Sequence, residues 1–174
     1  MNISANQKNI NKKKATFSEI EKAAFRIAME IGRQLIKSAL EEADLDLMAE
    51  RDTARYRNKG LRRTCIKTVC GPVEYERRVY EDSAADGKRF VYLLDESLRM
   101  NCIGNVSEGV CSLIAASICE STFRSASRQV TELTGLSISH QAVWNIVQQI
   151  GESQEELAER HAQLAKENQG TGKI

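Results

Sequence analysis

The sequence predicts an α+β protein, mainly helical: a long N-terminal helix, a small antiparallel β-hairpin or three-stranded sheet, and a helix-turn-helix bundle. Three observations predict it. Apolar residues recur at spacings of three and four over residues 20–47 and again over 110–150, the period of amphipathic helices. Between them, "RTCIKTV" and "VEYERRVY" are rich in β-branched and aromatic residues and meet at Gly71-Pro72. The 174 residues, 41% of them hydrophobic, suffice for one medium domain or two small ones.

Residues 1–15 are polar and carry Lys8, Lys12, Lys13 and Lys14 with no acid, which reads as a disordered basic tail. A helix is expected over 16–52. Thr16 with Glu19 and Ser18 with Glu21 form overlapping capping boxes at its start. Ile20, Ala24, Ile27, Ile31 and Leu35 then make one stripe; Ile36, Leu40, Ala43 and Leu47 continue on a rotated face. Gly32 weakens such a helix. The stripe needs cover from the same chain or from a second copy, so a homodimer is left open.

A basic hairpin region follows over 53–95. From Arg51 to Lys67 there are seven basic residues against one acid, Asp52. "ARYRNKGLRR" reads as a basic loop turned by Asn58 and Gly60. Gly71-Pro72 reads as the hairpin turn. In the second strand Val73, Tyr75, Arg77 and Val79 share one face, and Glu74, Glu76, Arg78 and Tyr80 the other. "RFVYLL", 89–94, is expected as a third strand.

The helix-turn-helix region is expected over 104–151. Val110, Leu113, Ile114 and Ile118 form an apolar stripe from Ser107 onward. A second helix spans about 122–134 with Phe123, Ala126, Val130 and Leu133 on one side; Gly135 stops it. Ser139 caps the next helix, whose Val143 and Ile146 fall four and seven positions past the cap. The turn "GLSIS" is about two residues longer than the tightest versions of the motif. Ser153 with Glu156 is a further capping box, opening a polar C-terminal helix and tail over 152–174.

This pattern leaves His140 and Gln141 facing outward at the start of the third helix, with Asn145 one turn later. Recognition helices meet base edges with their N-terminal residues. Gln and Asn can each bond an adenine edge twice, and His140 can donate to a phosphate or a guanine. Arg124 and Arg128, one turn apart, could anchor the duplex backbone. Arg62, Arg63, Lys67, Arg77 and Arg78 on the hairpin could neutralise phosphates. An ordinary polar helix face, and a hairpin whose Glu74 and Glu76 pair with the cations, are the plainer alternatives.

Other chemistries find less support. The five cysteines (Cys65, Cys70, Cys102, Cys111, Cys119) show no CxxC spacing, and only His140 and His161 could join them, so no metal site is expected. The odd cysteine count and the lack of a signal peptide point to reduced thiols and a cytoplasmic location. The longest weakly polar run, 109–119, is far short of the ~20 residues of a membrane span. The carboxylate pairs Glu41/Glu42, Asp44/Asp46 and Asp95/Glu96 are expected to be solvated or capping rather than catalytic. The net charge of +1 decides nothing by itself.

"AERDTARYRNKGLRRTCIKTVCGPVEYERRVYED", "FVYLLDESL" and "TFRSASRQVTELTGLSISHQAVWNIVQQIGE", in that order, resemble the N-terminal part of the ISLre-type insertion-sequence transposases. These are also catalogued as an uncharacterised protein family and are distantly similar to Mutator-like transposases. The resemblance covers about residues 17–160; Pro72 departs from it, standing where an acidic residue is usual. It implies a DNA-binding front half, with the family's hairpin on 61–80 and its helix-turn-helix on 122–150. It also implies a ribonuclease-H-like catalytic domain lying beyond Ile174, with an acidic triad using Mg²⁺. No catalytic residue of that domain maps onto this chain. The expectation is therefore a truncated transposase part that binds terminal inverted repeats in double-stranded DNA without cutting them and without a cofactor. A non-enzymatic DNA-binding repressor, or a dimerising interaction protein, is the alternative.

Overall fold

Thr16 starts the first helix by reciprocal bonding. Its hydroxyl accepts from the Glu19 N–H, and the Glu19 carboxylate accepts from the Thr16 N–H at 2.8 Å, the capping box expected from the sequence. The computed structural model describes residues 15–84, 87, 89–98, 100, 105–153 and 155. The expected basic tail, apart from Ala15, and nearly all of the polar C-terminal segment lie outside the described residues.

Helix α1 (Phe17–Glu50) runs unbroken for 34 residues. Gly32 sits where the helix crosses the hairpin turn. A Cβ there would stand 2.7 Å from Cys70 Sγ, so the glycine serves a close approach. Beside it the Arg33 guanidinium donates to the Cys70 carbonyl at 2.9 Å. Ile36, Leu40, Ala43 and Leu47 pack against the sheet. The earlier stripe is centred about 150° around the helix from this face at 3.6 residues per turn. Ile20, Ile31 and Leu35 on it are 42%, 40% and 65% exposed.

The sheet has three antiparallel strands in the order β1 (Tyr56–Thr68), β2 (Gly71–Asp82), β3 (Arg89–Val91). Three boundaries differ from the sequence expectation. Residues 56–62 are strand rather than loop, because Asn58 and Gly60 make a bulge instead of a turn. The register shifts between Asn58 and Leu61, Gly60 takes φ +98°, and its N–H donates to Asn58 Oδ1 at 2.7 Å. The hairpin turns on Val69 and Cys70, while Gly71 and Pro72 open β2 opposite Thr68 and Lys67. Pro72 thus falls at the start of a strand, where a missing N–H costs least. Finally, "RFVYLL" divides into β3 and a short helix, α2 (Leu93–Ser97).

Along β2, Val73, Tyr75 and Val79 are buried and Glu74 and Glu76 exposed, following the alternation. The far end departs from it. Tyr80 is fully buried and Arg78 half-buried on the face expected to be polar. The reason is α1, whose carboxylates reach the stretch of β2 edge that β3 leaves unpaired. Glu76 N–H donates to Glu41 Oε1 at 3.2 Å and Arg78 N–H to Asp44 Oδ1 at 3.0 Å. Satisfying these groups blunts an otherwise sticky edge. Asp44 is only 2% exposed and also pairs with the Arg78 guanidinium at 2.5 Å. It is therefore a buried ion-pair partner of Arg78 and not the solvated or capping carboxylate expected. At the strand's end Arg55 holds Asp82 through two bonds of 2.9 Å. That contact lowers the Asp82 pKa to about 2.

Three helices follow: α3 (Glu108–Glu120), α4 (Phe123–Thr134) and α5 (140–153). Ser107 and Thr122 cap the first two through their hydroxyls. Val110, Ile114, Ala126, Val130, Val143 and Ile146 form the centre of their core. The bundle is joined to β1 by two backbone bonds, Lys67 N–H to Asn105 O at 2.8 Å and Ser107 N–H to Lys67 O at 2.9 Å. Ser153, expected as a cap, lies within the helical run and its hydroxyl bonds back to Gln149 O. Among the described residues, no helix is long and apolar enough to cross a membrane. Among them, too, no group of three or more His, Cys, Asp and Glu could hold a metal ion.

Candidate nucleic-acid interface

The turn between α4 and α5 is built from short-range bonds that the sequence encodes locally. Gly135 adopts the left-handed conformation (φ +69°) and its N–H closes on Thr131 O, which ends α4 as expected. The Thr134 hydroxyl bonds Val130 O at 2.7 Å and accepts from the Leu136 N–H at 3.2 Å. Leu136 and Ile138 then alternate inward and are buried, while Gly135, Ser137 and Ser139 face out. This explains the extra length of the turn: its two additional residues contribute core side chains of their own. The Ser127 hydroxyl fastens the turn to α4 by donating to Ile138 O at 2.6 Å. Leu133, expected on the buried stripe, is 53% exposed. It lies in the last turn of α4, while Leu136 from the turn is in the core.

Ser139 caps α5, its hydroxyl accepting from the Ala142 N–H at 3.1 Å. Val143 and Ile146, four and seven positions on, are 0% and 5% exposed. The opposite face carries His140, Gln141, Trp144, Asn145, Gln148 and Gln149, all exposed. Gln141 Nε2 donates to Asn145 Oδ1 at 3.3 Å. That bond aligns two amides along the helix, one turn apart, at the end where recognition helices meet bases.

Lys67 and Asn145 come together across the bundle–sheet junction. Both line a cleft of about 190 Å³ with Gln149, and Val106, Ile138, Ala142 and Ile146 supply its apolar walls. In the sequence Lys67 and Asn145 belong to separate motifs, and Gln149 stands out in neither. A partial signal for Gln149 exists, since it follows Asn145 by four residues and shares its face.

The remaining cations divide into two groups. Arg124 and Arg128 are exposed on α4. Arg62 is exposed and bonds to its own strand, through Leu61 O. Arg63 pairs with Glu74 but keeps 73% of its side chain in solvent, and the carboxylate raises its pKa. Arg77 and Arg78 belong to the interior. Arg77 pairs with Asp95 and lies 4.0 Å over the Tyr92 ring; Arg78 pairs with Asp44. Their side chains are 18% and 14% exposed. Asp95, like Asp44, thus serves as an ion-pair partner. Nothing in the sequence announces these pairs, whose members lie 18 and 34 residues apart.

Fold and site together define an α+β protein in which a helix-turn-helix is docked on the end of a β-ribbon. The chain belongs to a family described as Uncharacterised protein family (UPF0236), whose model matches residues 10–173. No curated protein and no solved structure matches it.

Proposed function

We propose that this chain binds double-stranded DNA, with the N-terminal half of α5 in the major groove. On this reading it is a DNA-binding part of an insertion-sequence transposase and recognises the element's terminal inverted repeats. The observation that carries the reading is the two-sided α5. Its apolar side is locked into the bundle by Val143 and Ile146, while His140, Gln141 and Asn145 stand in solvent, Asn145 beside Lys67. Amides fixed by a helix cap and a rigid core lose little freedom on meeting base edges, which favours discrimination over bulk affinity.

Backbone contacts then fall to Arg62, Arg63 and Lys67 on the ribbon and Arg124 and Arg128 on α4. Arg77 and Arg78 are engaged by Asp95 and Asp44, and removing either would damage the fold before it touched binding. Family resemblance in the three sequence blocks supports the transposase assignment.

A gel-shift comparison of duplexes carrying insertion-sequence ends with scrambled duplex tests the reading. Tighter binding to the ends is expected; equal binding to both contradicts it. The Gln141→Ala/Asn145→Ala variant is expected to bind the ends more weakly by about 1–3 kcal/mol for each base pair it no longer reads, with little change on scrambled duplex. The Arg62→Ala/Arg63→Ala variant should weaken both and reduce the slope of log K against log salt by about one for each phosphate it no longer neutralises.

A further inference from the structure

The N-terminal half of α1 carries an apolar seam that the described fold leaves largely in solvent, with Ile27 half-buried. Phe17, Ile20, Ala24, Ile27 and Ile31 follow one another at spacings of three, four, three and four, with Leu35 one turn on. That is the heptad spacing which another helix fills. The seam is centred about 150° around α1 from the face that packs on the sheet, and none of the described residues covers it. Phe17, Ile20, Ile31 and Leu35 are 79%, 42%, 40% and 65% exposed. They leave on the order of 400 Å² of apolar side chain in water, scaled from the ~150–250 Å² of a large aromatic side chain. That is the size of the largest patch on a typical monomer, and such patches are commonly interaction sites.

We infer that this seam is a dimer interface, in which α1 of one copy packs antiparallel against α1 of a second copy. The seam is self-complementary about a two-fold axis near residues 27 and 28. In that register Ile20 faces Leu35 of the other copy, Ala24 faces Ile31, and Ile27 faces Ala28. Ile20, Ile27, Ile31 and Leu35 each meet an apolar partner, the two alanines take up the bulk of Ile27 and Ile31, and Phe17 falls opposite Ser38 at either end of the seam. Two seams together supply about 800 Å² from these four exposed side chains alone, at the same ~150–250 Å² scale. Flanking Ala23, Ala28 and Gln34 bring the total toward the ~1,200–2,000 Å² of stable interfaces. The geometry is also open. Each sheet sits on the outer side of its own helix, so the layers run sheet, helix, helix, sheet. This inference stands apart from the DNA reading and can fail without it.

Multi-angle light scattering and sedimentation of the whole chain over about 1–200 μM test it, with circular dichroism as a check on helix content. The wild type is expected to be a dimer. Ile20→Glu and Leu35→Lys singly should each raise the dissociation constant at least about a hundredfold while leaving helix content unchanged, since both positions are exposed. The Ile20→Glu/Leu35→Lys double variant should recover the dimer to within about tenfold, because the introduced charges are opposite only in the antiparallel register. A wild type that stays monomeric, or single variants that stay dimeric, would overturn the interface. A double variant that remains dissociated would overturn the antiparallel arrangement.

Discussion

Asp82 shows how one side chain records its surroundings in a pH profile. Arg55 grips it through two charge-assisted bonds, and the Ala84 N–H adds a third at 3.0 Å. Bonding to the ionised form favours that form, so the folded-state pKa falls to about 2. The unfolded chain then binds more protons than the folded one between roughly pH 4 and pH 2. Stability from this contact is full above about pH 4 and disappears as pH falls through about 2. Melting of Asp82→Asn should therefore lie below wild type at about pH 7 and converge with it near pH 2; a gap that persists at about pH 2 would argue against the contact. Asp44 makes a sharper case. It is buried against Arg78, and Asp44→Ala strands a half-buried guanidinium, at a cost of about 3–5 kcal/mol by urea unfolding. Asp44→Ala/Arg78→Met should cost less than the single change.

At the scale of elements, what the sequence reveals and what it hides follow the range of the interactions. Capping and turn chemistry is local, so Thr16, Gly135 and Ser139 mark their helix ends from sequence alone. Position on α5 is legible for the same reason, since the spacing of Val143 and Ile146 from Ser139 fixes which side faces out. The strands are harder. Asn58 and Gly60 satisfy a turn and a bulge equally well, and only the pairing partner on β2 decides between them. The engagement of Arg77 and Arg78 is hidden because their partners arrive from α2 and α1 through tertiary folding. The tolerance of Gly32 belongs here too. In wild type, Gly32→Ala pushes a methyl to 2.7 Å from Cys70 Sγ and should destabilise. With Cys70→Ala already present, the same change should stabilise by up to about 1 kcal/mol, the helix propensity difference. Equal effects in both backgrounds, read by thermal melts, would mean the sulfur is not the obstacle.

For the whole molecule, the arrangement of two cores matters most. One lies between α1 and the sheet, the other inside the three-helix bundle. They meet at Lys67, whose backbone bonds Asn105 and Ser107 ahead of α3 while its side chain borders the cleft beside Asn145. A duplex lying along α5 would therefore touch ribbon and bundle at once, and the junction would set the angle between them. The most direct measurement is an amide-resolved NMR titration with a duplex carrying insertion-sequence ends. If α5 enters the groove, the amides of His140 through Asn145 and of Lys67 shift together and saturably, while those of α2 stay in place. Unmoved amides over His140–Asn145 at saturating duplex would contradict it.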